Sequence, residues 1–367
     1  MKKNKIKMAG PWITEHEKKL VNKMMDSGWD NYKYVEEFEE KFAEWHGRKY
    51  CLMTTCGTHA IHLLLLAMGV SENDEVIVPD CTWTGSVAPI TYVGATPVFV
   101  DIDEDNWCIE IDSIRKSITK KTKAILFVDL FGNLPDIKKL NSLSKEFNIP
   151  LIEDSAEALG SKYKGIRAGK FGVGSIHSFH RTKTIATGEG GALLLDSPKL
   201  FKRAKFLRDH GRSSKIPYFI EEATPKYMPS NIQASLALGQ FQRIDELIER
   251  KREIFKRYKN NFSNINNVTF NTDNDEIFNG AWATTIVIGK DYNVKGMEII
   301  KKLSNKNIPS RPFFYPLTSM PAYKKYSLKP NLNCISVSSR GITLAAHYLL
   351  RNDEIDLISQ EIIRILK

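Results

Sequence analysis

Lys183 sits inside SFHRTKTIATGEGG (178–191), and the residues around that string supply what an amine needs to do chemistry. With 53 Lys plus Arg in the chain, any one lysine is by default a solvated surface charge. Two upstream segments change that reading. TKAILFVDLFG (122–132) and PLIEDSAEALG (150–160) each begin as an apolar run of buried-strand length and end in acidic or glycine residues, as parallel strands do at a site. Downstream, GEGGALLLD (188–196) puts three glycines before another apolar run, so the backbone can turn sharply and approach a ligand closely. An amine, the Asp154 carboxylate just past PLIE, and a pliant loop therefore converge. An amine so placed can add to the carbonyl of an aldehyde or ketone.

A second candidate is the turn TTCGTHA (54–60), which contains Cys56, Gly57 and Thr58 and leads into the very apolar HLLLLAMGV. Glycine and hydroxyls at a helix N-terminus offer free backbone donors to a phosphate. By itself the segment fits an ordinary threonine cap equally well. Trp83, in the loop after VIVP, is either a site residue or a core aromatic.

The elements that position these groups are legible in outline. KYVEEFEEKFAEWHG (33–47) places Val35, Phe38, Phe42 and Trp45 at helical spacing, with Gly47 beyond. From 50 to 196 strands alternate with helices, which predicts a mostly parallel sheet whose ligands gather at the strands' carboxyl ends. SNIQASLALGQFQRIDELIERKREIFKRYKNNF (230–262) reads as one long helical spine. Beyond it, NVTFN and AWATTIVIG alternate with GMEIIKKLSNKN and DEIDLISQEIIRILK, a compact α+β unit. The expected organisation is a large domain over 1–245 and a small C-terminal domain over 246–367.

At 367 residues the chain can build two sizeable cores. Its basic N-terminus, MKKNKIKMAGPWITEHEKK, lacks the apolar stretch of a secretion signal, and no run reaches the ~18 apolar residues of a membrane span. A cytoplasmic protein, without membrane contact, is expected. Cys51, Cys56, Cys81, Cys108 and Cys334 include no CxxC pair and read as reduced thiols rather than a metal site. The net charge of +10 suits a polyanion such as a nucleotide diphosphate. The basic residues form no single tract, and no RNA-binding sheet or Cys/His finger signature is present, so nucleic acid is not an expected partner.

Taken together, FEEKFAEWHG, CGTHAI, VPDCTWT with GATPVFVDID, EDSAEALGSKYKG, SFHRTKTIATGEGG, MPSNIQASLALGQ and RPFFYPL (311–317) resemble the DegT/DnrJ/StrS nucleotide-sugar aminotransferases across nearly the whole chain. The resemblance implies a fold type I pyridoxal 5'-phosphate enzyme, with a mostly parallel seven-stranded sheet in its large domain. Lys183 then corresponds to the Schiff-base lysine, and Asp154 to the carboxylate that keeps the pyridinium nitrogen protonated. Glu157 stands where many members carry Gln beside the ring hydroxyl, and Trp83 where an aromatic stacks on the ring. Cys56, Gly57, Thr58 and Ser178 correspond to the phosphate cradle. Asn231 corresponds to a residue reaching the neighbouring subunit's phosphate, which implies a homodimer with shared sites.

Substrate contacts are expected at His180, Arg311, Phe313 and Tyr315, although Arg311 reads nearly as well as an exposed arginine in a structural ion pair. His210 and Arg212 stay open. Three positions depart from the family pattern: Thr318 where His is frequent, Cys56 where Ser is usual, and Ala345 where Pro is common. Relatives that remove a sugar hydroxyl carry His in place of Lys183, so the lysine favours transamination.

The implied reaction moves an amino group from L-glutamate to a nucleotide-linked 4-keto-6-deoxy sugar, through the pyridoxamine form of the cofactor. SFHRTKTIATGEGG with Glu157 and RPFFYPL is most similar to members that aminate carbon 4 of a GDP-linked sugar, with GDP-4-keto-6-deoxymannose the expected acceptor and surface polysaccharide or O-antigen the destination. The alternatives are carbon 3, a UDP- or dTDP-linked sugar, a cyclitol ketone, or a non-catalytic regulator on the same fold.

Overall fold

The computed structural model describes residues 6–367, so part of the basic N-terminal stretch read above for a secretion signal lies outside the described residues. Helix α1 (Glu15–Ser27) starts at Thr14 in a capping box with Glu17. Helix α2 (Lys33–His46) buries Val35, Phe38 and Phe42 on one face, as their spacing requires. It stops at Gly47, whose φ of 65° is a left-handed cap that glycine adopts without strain.

The predicted alternation follows: β1 (Tyr50–Thr54), α3 (Gly57–Ala67), β2 (Glu75–Pro79), α4 (Thr84–Tyr92), β3 (Thr96–Val100), α5 (Ile111–Ser117), β4 (Thr122–Val128), α6 (Ile137–Phe147) and β5 (Leu151–Asp154). A short pair, β6 (Lys162–Tyr163) and β7 (Ile166–Arg167), precedes β8 (Gly174–Ser178), β9 (Gly191–Leu195) and α7 (Pro198–Leu207). Seven strands form one sheet in the order β1-β9-β8-β5-β4-β2-β3. β3, β2, β4, β5 and β8 run parallel, and β9 lies antiparallel between β8 and β1.

Alternate residues face opposite layers. Leu52, Leu126, Ile152 and Leu193 join the core under α3 and α4, whereas Met53, Phe127 and Leu194 face the layers built on α2, α6 and α8 (Asn231–Phe241). Both faces are covered, so the strands read as continuous apolar runs rather than alternating ones.

The expected spine is two helices, not one. α8 ends before α9 (Ile244–Asn261) begins, with Arg243 at φ −115° and ψ 20° between them. There the guanidinium turns back to the fully buried Glu17 at 2.7 Å and to Glu246 at 2.8 Å. Apolar periodicity continues through this break, which is why it is invisible in the sequence.

The remaining strands, β10 (Val268–Phe270), β12 (Thr285–Ile288), β14 (Gly341–Leu344) and β13 (Ser310–Pro312), pair antiparallel in that order. Helices α10 (Gly296–Ser304), α11 (Leu332–Arg340) and α12 (Asn352–Leu366) complete this part of the chain. One short strand, β11 (Ile277–Phe278), pairs instead with β6. Among the described residues no helix is long and apolar enough to cross a membrane. All five cysteines are free thiols, four of them buried.

Arg48 ties the start of β1 to the loop before β8. Its side chain is 2% exposed, donates to the carbonyls of Gly169, Phe171 and Gly172, and pairs with Asp196 at 3.0 Å. Removing it takes the donor from the carbonyls of Phe171 and Gly172, while Gly169 O keeps the Ser175 hydroxyl, and breaks the ion pair to Asp196, so R48A is expected to lower unfolding free energy by about 3 kcal/mol. Urea denaturation checks this; a loss below about 1 kcal/mol would mean the loop holds itself.

Candidate active site

Lys183 lies on the connection from β8 to β9, a loop held at several points. Phe179 N–H donates to Gly190 O and Arg181 N–H to Gly188 O, both at 2.8 Å, closing the loop's neck. The carbonyls on either side of the lysine are held by aromatic donors from the C-terminal half: Trp282 Nε1 donates to Thr182 O at 2.7 Å, and Tyr348 Oη to Thr184 O at 2.9 Å. The Gln240 side chain bonds both backbone groups of Ala186. A backbone fixed so closely aims its side chain. Lys183 Nζ stands 3.0 Å from Glu157 Oε1 and 3.9 Å from the centroid of the Trp282 ring.

Glu157 is itself immobilised, because its other oxygen accepts the Phe131 N–H at 3.0 Å. Phe131 adopts a left-handed φ of 54° at the end of β4. Its ring stacks between those of Trp282 and Phe314, with centroids 6.1 Å and 5.2 Å away. Asp154, three residues before Glu157, ends β5 and is 4% exposed. It accepts from Ser86 Oγ at 2.7 Å and from the Ala156 N–H at 3.1 Å. Burial holds its carboxyl above the usual range, opposed by those hydrogen bonds and the Lys183 charge. A buried carboxylate served by neutral donors calls for a cation.

The N-terminus of α3 forms another wall. Its N-cap, Cys56, makes no side-chain cap to the helix, so the first turn keeps backbone donors available. A Cβ on Gly57 would lie 3.2 Å from Ser178 Cβ, so the glycine lets helix and strand end approach. Burial raises the Cys56 thiol, making it a poor nucleophile. Trp83 caps α4 and is 63% exposed, which excludes the core-aromatic reading. The His180 ring is held by Thr182 Oγ1 at 3.0 Å, and burial lowers its pKa. Arg311 on β13 joins Phe131, Thr182, Trp282 and Phe314 around a cavity of about 90 Å³ that the N-terminal residues Met8 and Ala9 also line. A larger polar groove of about 800 Å³, between α9 and α12, contains none of these residues.

Two expected residues, Phe313 and Tyr315, are not brought to this cluster. Phe313 is 1% exposed and packs edge-on against Trp107 and Phe131; the cavity wall is its neighbour Phe314, since adjacent residues of an extended segment face opposite ways. Tyr315 points to α10, where its hydroxyl meets Met297 Sδ at 3.4 Å. Asn231 Nδ2 donates to Gly28 O at 2.6 Å and Asn31 O at 2.5 Å, so within this chain it holds the turn between α1 and α2; its Oδ1 is buried without a partner. Thr318 bonds Asp80 through both its N–H and its hydroxyl.

Trp282, Tyr348, Phe131, Phe314 and Ser86 went unread in the sequence. Nothing in their local spacing separates them from core residues; the tandem aromatics of RPFFYPL were the one usable signal.

The arrangement places an amine beside a carboxylate, a buried carboxylate needing a cation, and free N–H donors within reach of a serine. Gly191 is where the α3 wall is tightest: an added Cβ would sit 2.5 Å from Cys56 C and Gly57 N. G191A is therefore expected to cost about 2 kcal/mol or more of stability by displacing that backbone. A thermal unfolding midpoint equal to wild type would disprove the close approach.

A model of the DegT/DnrJ/EryC1/StrS aminotransferase family matches residues 11–363. The GDP-perosamine synthase of Escherichia coli O157:H7 is 39% identical over 360 residues, 97% of each chain. That of Vibrio cholerae is 33% identical over 355 residues, 95% of this chain and 96% of its own. Among solved structures, Spr1654 of Streptococcus pneumoniae, described as a sugar aminotransferase and seen in PLP, PMP and apo forms, superposes with a TM-score of 0.92. Its PLP form is 29% identical, covering 99% of this chain and 98% of that one. With the seven-stranded sheet of a fold type I enzyme and the family match over almost its whole length, the chain belongs to the DegT/DnrJ/EryC1/StrS aminotransferases.

Proposed function

We propose that this enzyme uses pyridoxal 5'-phosphate to transfer the amino group of L-glutamate to carbon 4 of GDP-4-keto-6-deoxymannose, forming GDP-perosamine for surface polysaccharide such as O-antigen. The observation that carries it is the amine of Lys183 clamped between Glu157 and Trp282 beside a buried Asp154. The donor set suits the cofactor: uncapped N–H groups at α3 with Gly57, Thr58 and Ser178 for the phosphate, and Asp154 for the ring nitrogen. Glu157 would face the ring hydroxyl, and Trp83 the ring itself. When bound, the cofactor supplies an electron sink that acidifies the carbon bearing the nitrogen.

The residues' tasks follow. Lys183 takes a proton from the donor's carbon and returns one to the acceptor's, as general base and then general acid. Glu157, 3.0 Å away, stabilises the ammonium whenever that amine carries the proton. Arg311 is exposed at the cavity rim and suits a diphosphate. The choice of GDP over UDP or dTDP is supported by the identity of 39% and 33% to two GDP-perosamine synthases.

A homodimer is part of the proposal. Exposed aromatics, Trp29 at 65% and Tyr32 at 45%, lie on the turn that Asn231 ties down, and a second copy would cover them.

Cofactor-loaded protein should lose its visible absorbance on adding L-glutamate and regain it with GDP-4-keto-6-deoxymannose, while K183A shows neither change. Recovery with a UDP- or dTDP-sugar alone would reassign the acceptor. Absence of any visible absorbance in the loaded wild type would defeat the enzyme reading.

A further inference from the structure

We propose that Ser86, backed by Thr82, is a positioning residue that keeps Asp154 an aimed carboxylate; this rests on the cofactor reading above. Ser86 and Asp154 are each 4% exposed, so water does not compete for their contact. Ser86 Oγ lies 2.7 Å from Asp154 Oδ2 and 3.0 Å from Thr82 Oγ1, while Asp154 Oδ1 takes the Ala156 N–H. A hydroxyl has one proton to give, and an ionised carboxylate only accepts. The Ser86 proton therefore goes to Asp154, and Thr82 must donate to Ser86. The chain runs one way, Thr82 to Ser86 to Asp154, as long as Asp154 is charged.

The segment carrying this chain does more than hold one oxygen. Trp83 lies between the two hydroxyl residues and is the N-cap of α4, its carbonyl accepting the Ser86 N–H at 3.1 Å. Gly85 lets the turn close on α3, since a Cβ there would come within 2.8 Å of Thr58 Oγ1. One turn, 82–86, thus mounts the aromatic, the partner of the carboxylate and a contact with the phosphate wall. The charged groups acting on Asp154 are Lys183 and Glu157 within the site and Asp129 at the end of β4. None of them fixes its rotamer as a directed hydrogen bond does.

The test is equilibrium titration of the cofactor-free full chain with pyridoxal phosphate, followed by visible absorbance, on wild type, S86A, S86T and T82V. Burial raises the Asp154 carboxyl and the Ser86 hydrogen bond lowers it. Without that bond Asp154 takes a proton at higher pH, so the ion pair to the ring nitrogen is lost earlier on acidification. S86A is expected to bind about tenfold more weakly at neutral pH, with the acid limb of its affinity profile moved up by about one pH unit. S86T, which keeps the hydroxyl, should restore both. T82V, nearly isosteric, should move the limb the same way by less, and it decides the matter alone if S86A does not fold. Equal weakening of S86A at every pH would reduce Ser86 to packing, and unchanged binding would overturn the proposal. A wild type that takes up no cofactor would instead overturn the reading beneath it.

Discussion

A carboxylate at the buried end of a parallel strand costs several kcal/mol unless its surroundings compensate it, and Asp154 is such a group. The strand order places β4 and β8 on either side of β5, so whatever ends those strands faces the same charge. Besides Glu157, two more buried acids lie on β5 and at the end of β4, and each is managed differently. Glu153, on the opposite face of β5, accepts the N–H groups of Gly169 and Phe171 at 2.7 Å. Asp129, ending β4, is pushed well above the usual range by burial and by Glu153 beside it, which favours its neutral form. Asp154 alone faces both a hydroxyl from α4 and an amine from the β8–β9 loop. That asymmetry favours the charged form of Asp154 over that of Asp129.

The lysine loop answers to the same constraint from the other side. Its neck is closed by its own backbone, but its tip is fixed by Trp282 and Tyr348, residues about 100 and 164 positions further along the chain. Long-range aromatic donors convert a glycine-flanked loop into a rigid mount. Preorganisation of this kind removes the cost of ordering the amine. The stacked rings of Trp282, Phe131 and Phe314 form one wall of the same space and shelter the Lys183–Glu157 pair. An ion pair screened from water in this way is stronger than an exposed one.

Most of the architecture was legible because the relevant physics is local. Apolar runs between polar turns predicted the strands, and period-3.6 spacing with Gly47 predicted α2 and its end. Periodicity failed at residue 243, where an ion pair to Glu17 redirects the chain without breaking the apolar pattern. It failed again at Phe313 and Phe314, where two identical side chains have opposite fates. Only the register of an extended segment against its neighbours decides which of them meets the cavity.

By itself the sequence determined the chemistry available: one lysine in a glycine-rich string, an acid at a strand's end, and a glycine and hydroxyls at a helix start, whose missing side-chain cap only the fold revealed. Residue type and spacing along one chain carry that information directly. Only the tertiary structure decided what surrounds these groups. Lys183 meets Glu157 and Trp282 because a strand end, a hairpin loop and the segment before β12 converge in space. Ser86 meets Asp154 across 68 residues because α4 packs over the end of β5. Such contacts have no period and no local signature, since they arise from packing of whole layers rather than from any stretch of chain.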